Sequence, residues 1–145
     1  MNLVAPIEVL LIEDNFAETE LVTQIFDEGI TVNVIKVNDG IEAMDFLHKK
    51  GKYKNSRLPS LILLDLNLPK KNGHEVLEEI KHDEVLKCIP VIVLTNSSDN
   101  NDIFESYGQY ANAYITKPTD FNEFRRYMLT FKDFWLNSVK LPQIE

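Results

Sequence analysis

The chain has 145 residues, with 15 basic against 23 acidic side chains and a formal net charge of −8 with His neutral; such a surface repels phosphate backbones and anionic headgroups, which argues against a nucleic-acid-binding module or a polybasic membrane anchor. At 44% hydrophobic and 26% charged residues, the composition is that of a folded chain, and the length is that of one domain spanning 1–145 with little room for an output domain beside it. Cys88, the one cysteine, has no partner for an internal disulfide and no zinc-ligand spacing occurs, which fits a reducing, cytoplasmic setting.

In chain order, residues 1–8 lack a basic leader region and are interrupted by Pro6 and Glu8, so no signal peptide is expected, and no apolar stretch reaches the ~18 residues of a membrane span. The run Ile7 to Ile12 reads as a first strand, followed by a helix over Phe16 to Glu28 that Asn15 can cap, with Glu18 at its third position. Val32 to Val37 is a weaker strand and Ile41 to Lys49 a second helix. The basic segment from Lys49 to Pro59 is expected to be a solvated connection. Leu61 to Leu64 and Val91 to Leu94 are short and almost wholly Leu, Ile and Val, the pattern of strands covered on both faces of a parallel sheet. They bracket a helix over His74 to His82. A short polar helix near Asp102 to Tyr107, a strand over Ala113 to Ile115, and a helix over Phe121 to Trp135 opened by Asp120 and Glu123 complete the series. Strand and helix alternation at this spacing predicts a flavodoxin-like, doubly wound parallel sheet of order 2-1-3-4-5, with a core over about 7–135 and a tail over 136–145.

Polar residues follow strands where a sheet has no need of them: Glu13-Asp14-Asn15 after the first, Asp65-Leu66-Asn67 after the third, Thr95-Asn96 after the fourth and Thr116-Lys117-Pro118 after the fifth. In an open parallel sheet the functional crevice lies beyond the carboxyl ends of the strands, where their order reverses. That order brings Glu13, Asp14 and Asp65 together, with Thr95 and Lys117 on the far side. Singly, each has an ordinary reading: a cap for Asp14, a turn before Pro69 for Asp65, a strand residue for Thr95, a surface lysine for Lys117. Jointly, coincidence is improbable. Three clustered carboxylates repel one another unless a cation is present, and a hard divalent ion such as magnesium suits oxygen ligands that leave room for water and a phosphoryl group. A carboxylate can then act as nucleophile toward a phosphoryl donor while the metal and a lysine neutralise the phosphoryl oxygens. No Gly-x-Gly-x-x-Gly or Gly-x-x-x-x-Gly-Lys-Ser/Thr motif supports a nucleotide enzyme.

These residues resemble a response-regulator receiver domain of two-component signalling, through Glu13-Asp14, the segment Leu63-Leu64-Asp65-Leu66-Asn67-Leu68-Pro69 with Gly73 after it, Thr95, and Lys117-Pro118. The resemblance implies that Asp65 accepts a phosphoryl group and that magnesium is held by Asp14 and Asp65, by Glu13 through water and by the Asn67 backbone carbonyl. It implies that Lys117 and Thr95 bind the phosphoryl group, that Tyr114 is an aromatic switch, and that Asn67 and Ser97 tune hydrolysis. Such a protein catalyses only its own phosphorylation and dephosphorylation. Glu13 stands where Asp is commoner in the family, and the segment between the first and third strands is longer than in minimal receivers. The narrower likeness, carried by Leu63 to Gly73, the long loop and Phe134-Trp135-Leu136 with its tail, is to single-domain regulators partnered with cyanobacterial phytochrome kinases. It implies a sensor histidine kinase of phytochrome type as partner, and a homodimer.

The last helix carries a core stripe of Phe121, Phe124, Met128, Phe131 and Trp135. Its apolar arc is wider than a core stripe needs, so Phe121, Tyr127, Phe134, Trp135 and Leu136 form the candidate dimer or partner face. Two alternatives keep the same chemistry. One is an intermediate that passes the phosphoryl group to a histidine phosphotransfer protein; the other is an aspartate-based, magnesium-dependent phosphatase.

Overall fold

The computed structural model describes residues 5–29 and 31–144, so the reading of the amino-terminal segment falls partly outside the described residues. The elements are β1 (Ile7–Ile12), α1 (Phe16–Asp27), β2 (Val32–Val37), α2 (Gly40–Leu47), β3 (Leu61–Leu64), α3 (Gly73–His82), β4 (Val91–Thr95), α4 (Asn100–Gly108), β5 (Ala113–Thr116) and α5 (Phe121–Phe131). The strands pair in parallel in the order β2-β1-β3-β4-β5, the flavodoxin-like arrangement read from the alternation of elements.

The three inner strands, β1, β3 and β4, are almost wholly apolar because both of their faces are covered. Leu10, Ile12, Ile62, Leu64, Val91 and Val93 point into one core with Met44, Phe46, Val76, Leu77 and Ile80 of α2 and α3. The residues between them, Val9, Leu11, Leu61, Leu63, Ile92 and Leu94, point into the other with Val22, Ile25 and Phe26 of α1 and Phe124, Met128 and Phe131 of α5. Strand side chains alternate faces, so a single run of Leu, Ile and Val supplies both cores. The edge strands β2 and β5 are only half-buried.

Four local expectations change. The basic segment after α2 is not simply solvated: it holds a 3-10 turn (Gly51–Tyr53), and Tyr53 packs edge-on against Phe46 with ring centroids 5.1 Å apart while Leu58 reaches the core. Helix α4 begins earlier than its polar sequence suggested, because the Asp99 side chain accepts a hydrogen bond from the Asn101 N–H and caps it. Phe121, the first residue of α5, is not part of the core stripe but 56% exposed. Beyond Phe131 the helix widens into a π-helical segment (Lys132–Ser138), closed by a bond from the Val139 N–H to the Phe134 carbonyl at 2.9 Å. That widening turns Leu136 inward, so a residue expected on the dimer or partner face is buried in the α1–α5 core instead.

Candidate functional site

Short backbone bonds at the carboxyl ends of the strands set the site. The Asp65 N–H donates to the Ile12 carbonyl at 3.0 Å, the Glu13 N–H to the Val37 carbonyl at 3.0 Å, and the Lys117 N–H to the Thr95 carbonyl at 2.7 Å. The sheet thus carries its pairing one residue past each strand and delivers these side chains to one place. After Asp65 the chain turns back tightly, and the Gly73 N–H donates to the Leu66 carbonyl at 2.9 Å. A Cβ at Gly73 would lie 2.5 Å from the Asp65 carbonyl oxygen and from Leu66 Cα, so only glycine lets α3 start against the acidic turn. The same helix opens with a reciprocal cap between Asn72 and Glu75.

Glu13, Asp14 and Asp65 each place a carboxylate oxygen within 4.8 Å of the others. Glu13 and Asp65 are buried, and Asp14 is exposed at the rim. The Asn67 backbone N–H donates to Asp65 Oδ1 at 3.0 Å, while its side chain faces water. Lys117 is almost wholly enclosed, and its Nζ donates to Glu13 Oε2 at 2.6 Å, Glu18 Oε2 at 2.6 Å and Asp65 Oδ2 at 3.0 Å. Burial pushes the Glu13 carboxyl up, and the neighbouring Asp65 pushes it further, to about 8. Burial acts on Asp65 in the same sense, but bonds from Glu13, the Asn67 N–H and Lys117 outweigh it and hold Asp65 below the ordinary carboxylate range. Burial alone would lower the Lys117 ammonium, yet its carboxylate partners hold it above its usual value.

On the other side of the pocket Thr95 is fully buried, and among the described residues its Oγ1 has no hydrogen-bond partner. Tyr114, half-buried on β5, donates its hydroxyl to the Ser97 carbonyl at 2.8 Å, and Thr116 Oγ1 donates to the same oxygen at 3.2 Å. Ser97 Oγ in turn donates to Asp102 Oδ2 at 2.5 Å, and Asp102 Oδ1 lies 3.1 Å from His74 Nε2 on α3.

Glu13, Asp14, Asp65 and Lys117 therefore meet where the strand order places them; Asn67 reaches Asp65 through its backbone N–H, Thr95 closes the strand beside Lys117, and Tyr114 is tied to Ser97 just beyond Thr95. Two features escaped the sequence reading. In the sequence Glu18 reads only as a helix-start residue; its place in the first turn of α1, close after Asp14, is the available signal that it can also reach the site. The bridge from His74 to Asp102 joins residues 28 apart in sequence and left no local signal. On α5 and the π-helical segment, Phe121, Tyr127 and Phe134 are exposed and Trp135 is half-buried; Tyr127, Phe134 and Trp135 line an open groove with Arg126 and Ile115.

A parallel sheet of this order with an acidic triad, a lysine and a buried hydroxyl at its carboxyl edge defines a receiver. The chain belongs to the response regulator receiver domain family, whose model matches residues 9–128. Among characterised proteins it is similar to the response regulator Rcp1 of Synechocystis, 44% identical over 138 residues covering 94% of each chain. It is also similar to the probable methanogenesis regulatory protein FilR2 of Methanothrix harundinacea, 39% identical over 94% of this chain and 88% of that protein. The phosphorylated cyanobacterial phytochrome response regulator RcpA superimposes with a TM-score of 0.92 at 44% identity, covering 96% of this chain and all of that one. The Mn(2+)-bound form of Rcp1 superimposes with a TM-score of 0.92, covering 94% of this chain and 99% of that one.

Proposed function

We propose that this receiver accepts a phosphoryl group on Asp65 from a sensor histidine kinase, with Mg2+ held by Asp14, Asp65, the Asn67 carbonyl and, through water, Glu13. The observation that carries this reading is the meeting of three carboxylates within 4.8 Å of one another beside a lysine ammonium and a partnerless buried hydroxyl. The donor set fits a hard divalent cation: all oxygen, clustered, and open to water at Asp14. When bound, the ion supplies positive charge for the carboxylates and for phosphoryl oxygens.

The chain's own residues do the rest. The Asn67 N–H fixes Asp65 Oδ1, and Lys117 holds Oδ2, so the acceptor carboxylate is oriented before a donor arrives. An Asp65 oxygen attacks phosphorus, and the donor imidazole leaves with the electron pair of the broken P–N bond. Lys117 balances the added charge. The Thr95 hydroxyl gains a phosphoryl oxygen as the partner it lacks, drawing the end of β4 inward. The bonds that Tyr114 and Thr116 make to Ser97 lie on the segment that must then move, which supports Tyr114 as the switch aromatic and α4 as the responding element.

The likeness to RcpA, a cyanobacterial phytochrome response regulator, supports a phytochrome-type kinase as partner in a two-component pathway. The exposed aromatics Phe121, Tyr127 and Phe134, with Trp135, support a second copy of the chain as the occupant of the α5 face. Incubation with Mg2+ and acetyl phosphate, read by intact mass, tests the central step. One phosphoryl group is expected on the natural chain and none on Asp65→Asn; no phosphoryl group on the natural chain with any donor overturns the reading.

A further inference from the structure

Of the carboxylates that bond Lys117 among the described residues, Glu18 is the one to which the receiver resemblance gives no role. At the third position of a helix, a Glu side chain ordinarily folds back onto the backbone N–H of the capping residue. Here the Asn15 N–H is already taken by Glu13 Oε1 at 3.0 Å. The Asn15 side chain still accepts from the Glu18 N–H at 3.0 Å, so the helix start is held while the Glu18 carboxylate turns to Lys117. An ammonium has three donors, and Glu13, Glu18 and Asp65 use all of them. None is left for a phosphoryl oxygen. Of the three acceptors, Glu13 and Asp65 side chains are 5% and 6% exposed and Glu18 is 19% exposed, so Glu18 is the one that water can take over at least cost.

We propose that Glu18 is a positioning residue that occupies the Lys117 donor a phosphoryl group must take, so that phosphoryl binding at Asp65 displaces Glu18 and the Glu18 carboxylate pulls the equilibrium back toward the unphosphorylated state. This rests on the reading of Asp65 as the acceptor. Glu18 takes part in no bond change. In transfer, the new P–O bond to Asp65 forms as the donor's bond to phosphorus breaks. In hydrolysis, water attacks phosphorus, that P–O bond breaks, and the carboxylate and orthophosphate are released. What Glu18 sets is the hold of Lys117 on the phosphoryl charge in both directions.

The test is a titration with beryllium trifluoride, a phosphoryl mimic, at saturating Mg2+ and followed by NMR, on the natural chain, Glu18→Gln and Glu18→Asp. Glu18→Gln is expected to bind the mimic about fivefold tighter, the upper end for an ion pair that water still reaches. Glu18→Asp keeps the charge but is one methylene short of Lys117, and is expected to behave like Glu18→Gln. Equal or weaker binding by Glu18→Gln overturns the proposal. So does a Glu18→Asp variant that matches the natural chain, because the charge on α1 and not the contact would then be responsible. Failure of the natural chain itself to bind the mimic speaks instead against Asp65 as acceptor.

Discussion

Lys117 and Thr95 stand at the ends of neighbouring strands, both buried, and their polar groups are in opposite conditions. The ammonium has three carboxylate partners; the hydroxyl has none. A buried charge is tolerated only when paired, whereas a lone hydroxyl costs far less and can wait. The acidic side of the pocket is therefore settled in this state and the side toward β4 and α4 is not. Added negative charge beside Asp65 disturbs the first side and satisfies the second, which is the asymmetry a switch needs.

The sharpest way to break this contrast is at Asp65 itself. Asp65→Asn keeps the shape of the pocket and removes the nucleophile, so transfer from acetyl phosphate falls to background, as intact mass would show. Next comes the counter-charge: Lys117→Met leaves Glu13 and Asp65 buried without a cation and should cost about 3 kcal/mol in urea unfolding without metal. Mg2+ should recover part of that loss, by binding only the folded state. The opposite sign is expected across the pocket. Thr95→Val removes an unpaired buried hydroxyl at nearly constant shape and should raise stability by about 1 kcal/mol, while the amide shifts that beryllium trifluoride induces in α4 shrink; an unchanged α4 response would separate Thr95 from the switch.

The smallest effect lies at the outer end of the β4–α4 side. The Ser97 hydroxyl first, then His74, hold the Asp102 carboxyl below the ordinary aspartate range. A carboxyl lowered in the folded state adds stability that is present above its unfolded value and lost as pH falls through the folded one. Asp102→Asn should therefore lower stability slightly at neutral pH, a small effect because the site faces water, and flatten the acid limb so that in thermal unfolding below about pH 4 the variant and the natural chain converge.

The sheet and its order were legible because Leu61–Leu64 and Val91–Thr95 are apolar enough to demand cover on both faces, and only helices between parallel strands provide it. Polar residues standing at the carboxyl ends of apolar strands made Glu13, Asp14, Asp65, Thr95 and Lys117 legible as one site. Leu136 and Phe121 differ from the core-stripe pattern because a 3.6-residue period foresees neither a widening to π geometry nor which turn of a helix leaves the core. Tyr53 was missed because its packing partner, Phe46, lies on another element.

Length, charge, strand pattern and the residues that close each strand together determined an acidic α/β chain with a carboxylate, hydroxyl and lysine site at one edge, since periodicity and sheet topology suffice to bring those positions together. Only the tertiary structure decided how the site's polar groups are shared: that Glu18 takes the third donor of Lys117, that Thr95 takes none, and that Tyr114 is tied to Ser97. Such pairings depend on angstrom-scale competition among side chains from β1, α1, β3, β4 and β5, and no one-dimensional pattern records who wins.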